Sequence, residues 1–193
     1  MVVPRRLGRM TEPTRRSPDL WMDPGDDPRQ TDGPAFGEAA VLDSYLRHYR
    51  LTFELKCAGL TPDQLARRAV PPSSLSLLGL LRHLGKVEHS WAVLVVEGRA
   101  DDPRPYWSPD RRDVDFDDAV ADAAVVDDAW TTWRREVAHA RAVYARTPLD
   151  TVVRHHGEPL EVRDIVVHLI EEYARHCGHA DLLRECVDGR TGQ

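Results

Sequence analysis

Near the C-terminus, His168, Glu172, His176 and His179 stand at steps of 4, 4 and 3 residues. On an α-helix of about 3.6 residues per turn, such steps return to one side, so the four form a column. Imidazole and carboxylate are ligands for divalent metals. The commoner role of an i,i+4 Glu–His pair is a weak surface contact worth a few tenths of a kcal/mol. The surroundings bear on the choice. Over residues 161–186, Val162, Ile165, Val166, Leu169, Ile170, Tyr173, Ala180 and Leu183 gather on one side. Arg163, Glu171, Asp181 and Glu185 gather opposite. The column runs along the edge of that apolar stripe, where ionisable groups are costly unless something pairs them. A bound cation is one such partner.

A second helix is needed to close a site on that column. Residues 76–97 carry a stripe of Leu77, Leu80, Leu84, Val87, Trp91 and Leu94, and Gly98 ends the run. His83 lies at the rim of the stripe, between Leu80 and Val87, whereas His89 falls on the far side, toward solvent. Helix geometry therefore prefers His83 over His89 as an inward-facing ligand.

The stretch EEYARHCGHADLLRE resembles the last helix of the DinB/YfiT-like superfamily, and PPSSLSLLGLLRHLGKVEHSW at 71–91 supports the resemblance, which runs over residues 36–190. The branch that the chain resembles most is that of small actinobacterial DinB-like proteins of unassigned function. The resemblance implies an all-α fold, a DinB-like four-helix bundle. It also implies a divalent metal held by one ligand from the second helix and two from the last, four residues apart. Many members carry His-x-x-x-His there; this chain has Glu172-x-x-x-His176. That variant is similar to the mycothiol-dependent maleylpyruvate isomerases, in which a Glu is one of three zinc ligands. Carried over by position, the set is His83, Glu172 and His176, with His179 and His168 as outer partners or substrate-pocket residues. Three protein ligands leave a position open, as in catalytic zinc sites. The same donors also suit non-haem iron, so zinc is expected first, with Fe²⁺ and Ni²⁺ left open.

The remaining segments supply the scaffold. Residues 1–35 are rich in Pro, Gly, Arg and Asp and are read as a poorly ordered extension to a domain over 36–193. Within them Leu20, Trp21 and Met22 form an apolar island able to dock on the domain. Deletion of the whole stretch is expected to leave folding nearly unchanged. Residues 37–57 read as the first helix, with Leu42, Tyr45, Leu46, Tyr49 and Phe53 on its face. Thr61-Pro62 starts a short helical turn, and 71–74 reads as an extended connector to the second long helix. Residues 98–125 form a long crossover between the second and third helices, and a third long helix follows over 126–146. The acidic run Asp113, Asp115, Asp117 and Asp118 lacks the calcium-loop pattern and reads as solvated charge or as Asp at a helix N-terminus. Residues 151–163 suggest a small hairpin, with His155 and His156 in an exposed turn.

Composition narrows the function. A net charge of −6 disfavours nucleic acid or an anionic membrane as partner. No apolar run approaches the roughly 20 residues of a membrane span, and Arg5, Arg6 and Arg9 are not followed by the apolar core of a secretory signal. Three cysteines fit a reduced, cytoplasmic setting, and Cys177 reads as a buried structural thiol. Phosphate loops, dinucleotide fingerprints and nucleophile elbows are absent from the sequence. Two functions remain. One is a metal-dependent thiol transferase or isomerase, in which a mycothiol-like low-molecular-weight thiol attacks a small electrophile. The other is a non-catalytic metal-containing module that binds a small molecule or a partner. A homodimer is compatible with either.

Overall fold

Local capping chemistry fixes where most of the helices begin. The computed structural model describes residues 20–30 and 33–192. The first long helix, α1, spans Glu38–Cys57. Thr61 and Gln64 cap each other reciprocally, with backbone-to-side-chain bonds of 2.9 and 3.3 Å, and start α2, Pro62–Ala66. The connector 71–74 turns through a cis Pro71–Pro72 bond instead of running extended. Ser76 accepts from the Gly79 N–H and starts α3, Leu77–His89, which widens into a π-helical stretch over Ser90–Val96. A short α4, Val114–Asp117, interrupts the crossover. Asp122 accepts from the N–H groups of Ala124 and Val125 and starts α5, Ala123–Arg146, three residues before the start read from periodicity. Strands β1, Val152–His155, and β2, Glu158–Glu161, form the expected antiparallel hairpin and lead into α6, Val162–Asp188. The fold is the all-α helical bundle expected from the sequence.

Contacts give the direction of each helix. His83 faces His176 and Trp91 faces His168, so α3 and α6 are antiparallel. Arg163 reaches Glu38 and Arg184 reaches the Lys56 carbonyl, so α1 and α6 run parallel. His89 meets Glu136 and Glu97 meets Arg146, so α3 and α5 also run parallel. Two consecutive parallel helices cannot be joined by a tight turn, because the chain must first travel back along their length. The long crossover is thus a requirement of the topology. Two charge-bearing side chains anchor it. Tyr106 donates to Asp128 at 2.7 Å, and the Arg82 guanidinium lies 4.1 Å from the Tyr106 ring centroid while donating to the Asp115 carbonyl at 3.0 Å.

The core holds more polar groups than the apolar stripes suggest. Arg50 of α1 donates to both carboxylate oxygens of Glu88 of α3 at 2.7 Å. Tyr173 of α6 donates to Glu88 at 2.8 Å and accepts from the Trp133 indole of α5 at 3.0 Å. All four long helices meet in this network. Tyr45, placed on the buried face of the first helix by its spacing, is 58% exposed. Arg50 and Lys56 of the same helix are buried instead.

Of the N-terminal stretch, residues 1–19, 31 and 32 lie outside the described residues. Trp21 does not lie at the surface: it is 2% exposed. Its ring is enclosed by Lys56 Nζ at 4.0 Å, Arg190 Cζ at 3.8 Å and Arg184 Cζ at 5.2 Å from the centroid. Trp21→Ala is expected to cost about 3 kcal/mol and lower Tm by roughly 6–12 °C. A truncation through residue 35 removes the same side chain and should carry the same loss, against the near-neutral outcome expected from composition. Thermal melts of the substituted and truncated proteins check this directly.

Candidate metal centre

The seam between α3 and α6 brings together three of the residues singled out by the sequence. One ligand atom from each of His83, Glu172 and His176 lies within 4.8 Å of the others. His176 Nε2 stands 3.3 Å, and His83 Nε2 3.8 Å, from the same Glu172 oxygen. Donors bound to one ion at about 2.1 Å in tetrahedral directions are about 3.4 Å apart, so the spacing fits a first-row divalent cation. The three side chains are partly buried, at 21, 25 and 11% exposure in the order His83, Glu172, His176.

Both imidazoles are held by their other nitrogen. His83 Nδ1 lies 2.9 Å from Asp115 Oδ2, and His176 Nδ1 lies 3.2 Å from His179 Nδ1. Each ring therefore turns Nε2 toward Glu172. Asp115 is 1% exposed, also pairs with Lys86, and has its second oxygen buried without a hydrogen-bond partner. Burial opposes charge on both His83 and Asp115. The carboxylates of Asp115 and Glu172 nevertheless raise the His83 pKa, and His83 and Lys86 hold Asp115 below its ordinary value. Hydrogen bonds from His176 and His83 hold the Glu172 carboxyl well below the usual carboxylate range.

Asp115 is a neighbour of the candidate site that the sequence reading missed. It belongs to the acidic run read as solvated charge or helix N-terminal Asp: Asp113 precedes α4, Asp115 and Asp117 stand in its first turn, and Asp113 and Asp117 remain exposed. The local signal is weak: Asp115 is flanked by Val114 and Phe116 in an otherwise polar stretch. The placement of Asp115 depends on a glycine. A Cβ at Gly79 would stand 2.6 Å from the Phe116 ring, so the missing side chain lets α4 lie against α3. Phe116 then reaches the His83 ring, with centroids 5.4 Å apart.

The other histidines divide. His179 stands behind His176, as described. His168 is 40% exposed on its side chain and stands 3.6 Å from Glu172, one turn along the seam. Its ring meets Trp91 at 5.0 Å, and His155 of β1 covers Trp91 at 4.8 Å. His155 is thus half-buried against the π-helical stretch, whereas His156 stays exposed in the turn. The exposed-turn expectation holds for the second of the two and fails for the first. His89 also departs from expectation. It does not face solvent; its side chain is 11% exposed and its Nδ1 meets Glu136 of α5 at 3.0 Å. The 100° step places it away from the α6 seam but toward α5, which packs on that side. Cys177 is buried, as expected: its Sγ faces the Tyr49 carbonyl of α1 at 3.6 Å, and burial pushes its thiol up to about 12.

Among the described residues, no helix is long and apolar enough to cross a membrane. No curated protein matches the chain. Among solved structures, a conserved protein from Enterococcus faecalis is similar, with a TM-score of 0.55 and 16% identity. The match covers 80% of this chain and 99% of that one, which is a likeness of fold. The profile of the family described as mycothiol-S-transferase, a DinB-like family, matches residues 41–189. That span includes every long helix almost in full, together with the α3–α6 seam: the chain belongs to the mycothiol-S-transferase family.

Proposed function

We propose that His83, Glu172 and His176 hold a divalent metal, zinc first, and that the seam beside them brings a low-molecular-weight thiol of the mycothiol type to a small electrophile. The observation that carries the reading is the convergence of three donor atoms within 4.8 Å in a chain of this family. A divalent cation with an open position lowers the pKa of a bound thiol and keeps it as thiolate near neutral pH. The chain's own residues set the conditions. Glu172 is an ionised carboxylate and the two imidazoles are neutral as ligands, which leaves a dipositive ion with one net positive charge. Asp115 holds His83, and His179 holds His176, so neither ring must be oriented when the site fills. Trp91, His155 and His168 line the seam one to two turns away and give the electrophile a half-apolar wall.

The test is a conjugation assay with mycothiol and 1-chloro-2,4-dinitrobenzene. In that reaction the C–S bond forms, chloride leaves with the C–Cl electron pair, and the thiol proton passes to solvent. Metal-loaded wild type is expected to exceed the uncatalysed rate, Glu172→Gln to be impaired, and His176→Ala to match the background. A fully loaded wild type with no rate above background, with mycothiol or any other cellular thiol, would replace the transferase by the non-catalytic binding module.

Asp115 gives an independent check of the ligand geometry. Asp115→Asn is expected to weaken divalent metal binding roughly 10–100-fold, the usual cost of losing a ligand's outer partner. Competition with a chromogenic chelator measures it. The exposed Asp117→Asn should leave the affinity unchanged.

A further inference from the structure

The two oxygens of Glu172 have different neighbours. Oε2 is shared by the imidazoles of the donor set: His176 Nε2 stands 3.3 Å and His83 Nε2 3.8 Å from it. Oε1 is faced by a third imidazole, with His168 Nε2 at 3.6 Å. The cause is the spacing on α6. His168 and His176 lie four residues before and four residues after Glu172, so one ring stands a turn to either side of the carboxylate.

Packing fixes the His168 ring. It meets Trp91 edge to face, with centroids 5.0 Å apart and planes at 66°, an arrangement that aromatic rings prefer. Trp91 is backed in turn by His155 of β1 at 4.8 Å. It belongs to the π-helical stretch Ser90–Val96, and π-helical turns recur at functional sites. The other nitrogen of His168, Nδ1, is 3.9 Å from Oε2 of Glu171, an exposed side chain whose pull is screened by solvent. The hairpin, the π-helical stretch and α6 therefore converge on one ring, and that ring stands at one carboxylate oxygen.

The state of Oε1 decides what is left for a thiol. A carboxylate binds a cation through one oxygen or through both. Bound through both, Glu172 would take up the position that a catalytic site keeps open. An oxygen engaged by an imidazole N–H is the poorer ligand of the two, because its lone pairs already face a donor. At 3.6 Å the contact is electrostatic rather than a full hydrogen bond, and contacts of this kind in catalytic sites tighten once the site is filled. It repeats at the carboxylate what Asp115 does at His83 and His179 at His176. Resting on the metal reading above, we propose that His168 is a positioning residue: it holds Oε1 of Glu172 away from the metal, so that the carboxylate binds through Oε2 alone and one position stays open for the thiol.

Cobalt(II) is the probe, because its visible bands are intense in four-coordinate sites and weak in five- or six-coordinate ones. Full-length wild type loaded with cobalt is expected to show the intense bands. His168→Ala, at the same cobalt content, should lose most of that intensity. It should also bind mycothiol roughly 10-fold more weakly, the usual scale for a lost outer partner, read from the sulfur-to-cobalt charge-transfer band. His168→Gln returns an N–H donor near the place of Nε2 and should restore both signals, whereas Glu171→Gln should change neither. A His168→Ala spectrum equal to that of wild type overturns the proposal and leaves the metal site standing. So does a wild-type spectrum that is already of the weak kind. Uptake of a second cobalt that His168→Ala abolishes overturns it as well, because Oε1 is then itself a ligand. A wild type that takes up no cobalt removes the metal reading and this one with it.

Discussion

His176→Ala is expected to lose its bound divalent metal, and His83→Ala to do the same, while His89→Ala retains it. Each of the first two substitutions removes one of three donors that converge within 4.8 Å. The loss should exceed the roughly 10–100-fold expected when only an outer partner is removed. His89 is the informative control because it is also a histidine of α3 and also pairs with a carboxylate. Its partner is Glu136, in the α3–α5 interface. His89→Ala should therefore lower Tm without stripping metal. His179→Ala should keep most of the metal, because it frees His176 Nδ1 and leaves the three donors in place. Metal analysis after dialysis separates these outcomes. Equal metal content in the His83 and His89 variants would remove α3 from the site.

Glu88→Ala is expected to be the most damaging single change to stability. Glu88 is 0% exposed and accepts three hydrogen bonds, two from Arg50 and one from Tyr173. Its removal leaves the Arg50 guanidinium buried with no counter-charge. Breaking a buried pair from one side costs about 3–5 kcal/mol, a fall in Tm of roughly 6–20 °C for a chain of this size. The double change Arg50→Met with Glu88→Leu removes both charges and keeps apolar volume, so it should lose less than Glu88→Ala alone. If the double variant is the less stable of the two, the network contributes more than neutralisation of charge.

The elements whose positions depend on local rules were legible in the sequence. The caps at Thr61 and Ser76 and the hairpin before α6 follow from residue types and spacing. The column at His168, Glu172, His176 and His179 could be placed on one face for the same reason. What could not be read depends on which helix lies beside which. Arg50 and Glu88 look like surface charges until α1 and α3 are brought together around Tyr173. His89 looks solvated until α5 is laid parallel to α3. Asp115 is further removed, since its burial depends on a crossover whose path follows from the parallel pair and from the space left at Gly79. The π-helical stretch at Ser90–Val96 is likewise invisible to a search for 3.6-residue periodicity.

Trp21 has a topological consequence. Arg190 donates to the Trp21 carbonyl at 2.9 Å, and Lys56 donates to the Gly192 carbonyl. A Cβ at Gly192 would stand 2.9 Å from the Leu20 carbonyl carbon, and Gly192 has φ +113°. The two ends of the described chain are therefore fastened at one corner of the bundle, and the path from Leu20 to Gly192 is nearly a closed ring. A ring can be opened elsewhere. Joining Gly192 to Leu20 through a short glycine linker and cutting between Asp101 and Asp102 would give a circular permutant. In it α4 and then α5 come first and α3 last, every helix keeps its neighbours, and the tether between the parallel helices α3 and α5 no longer exists.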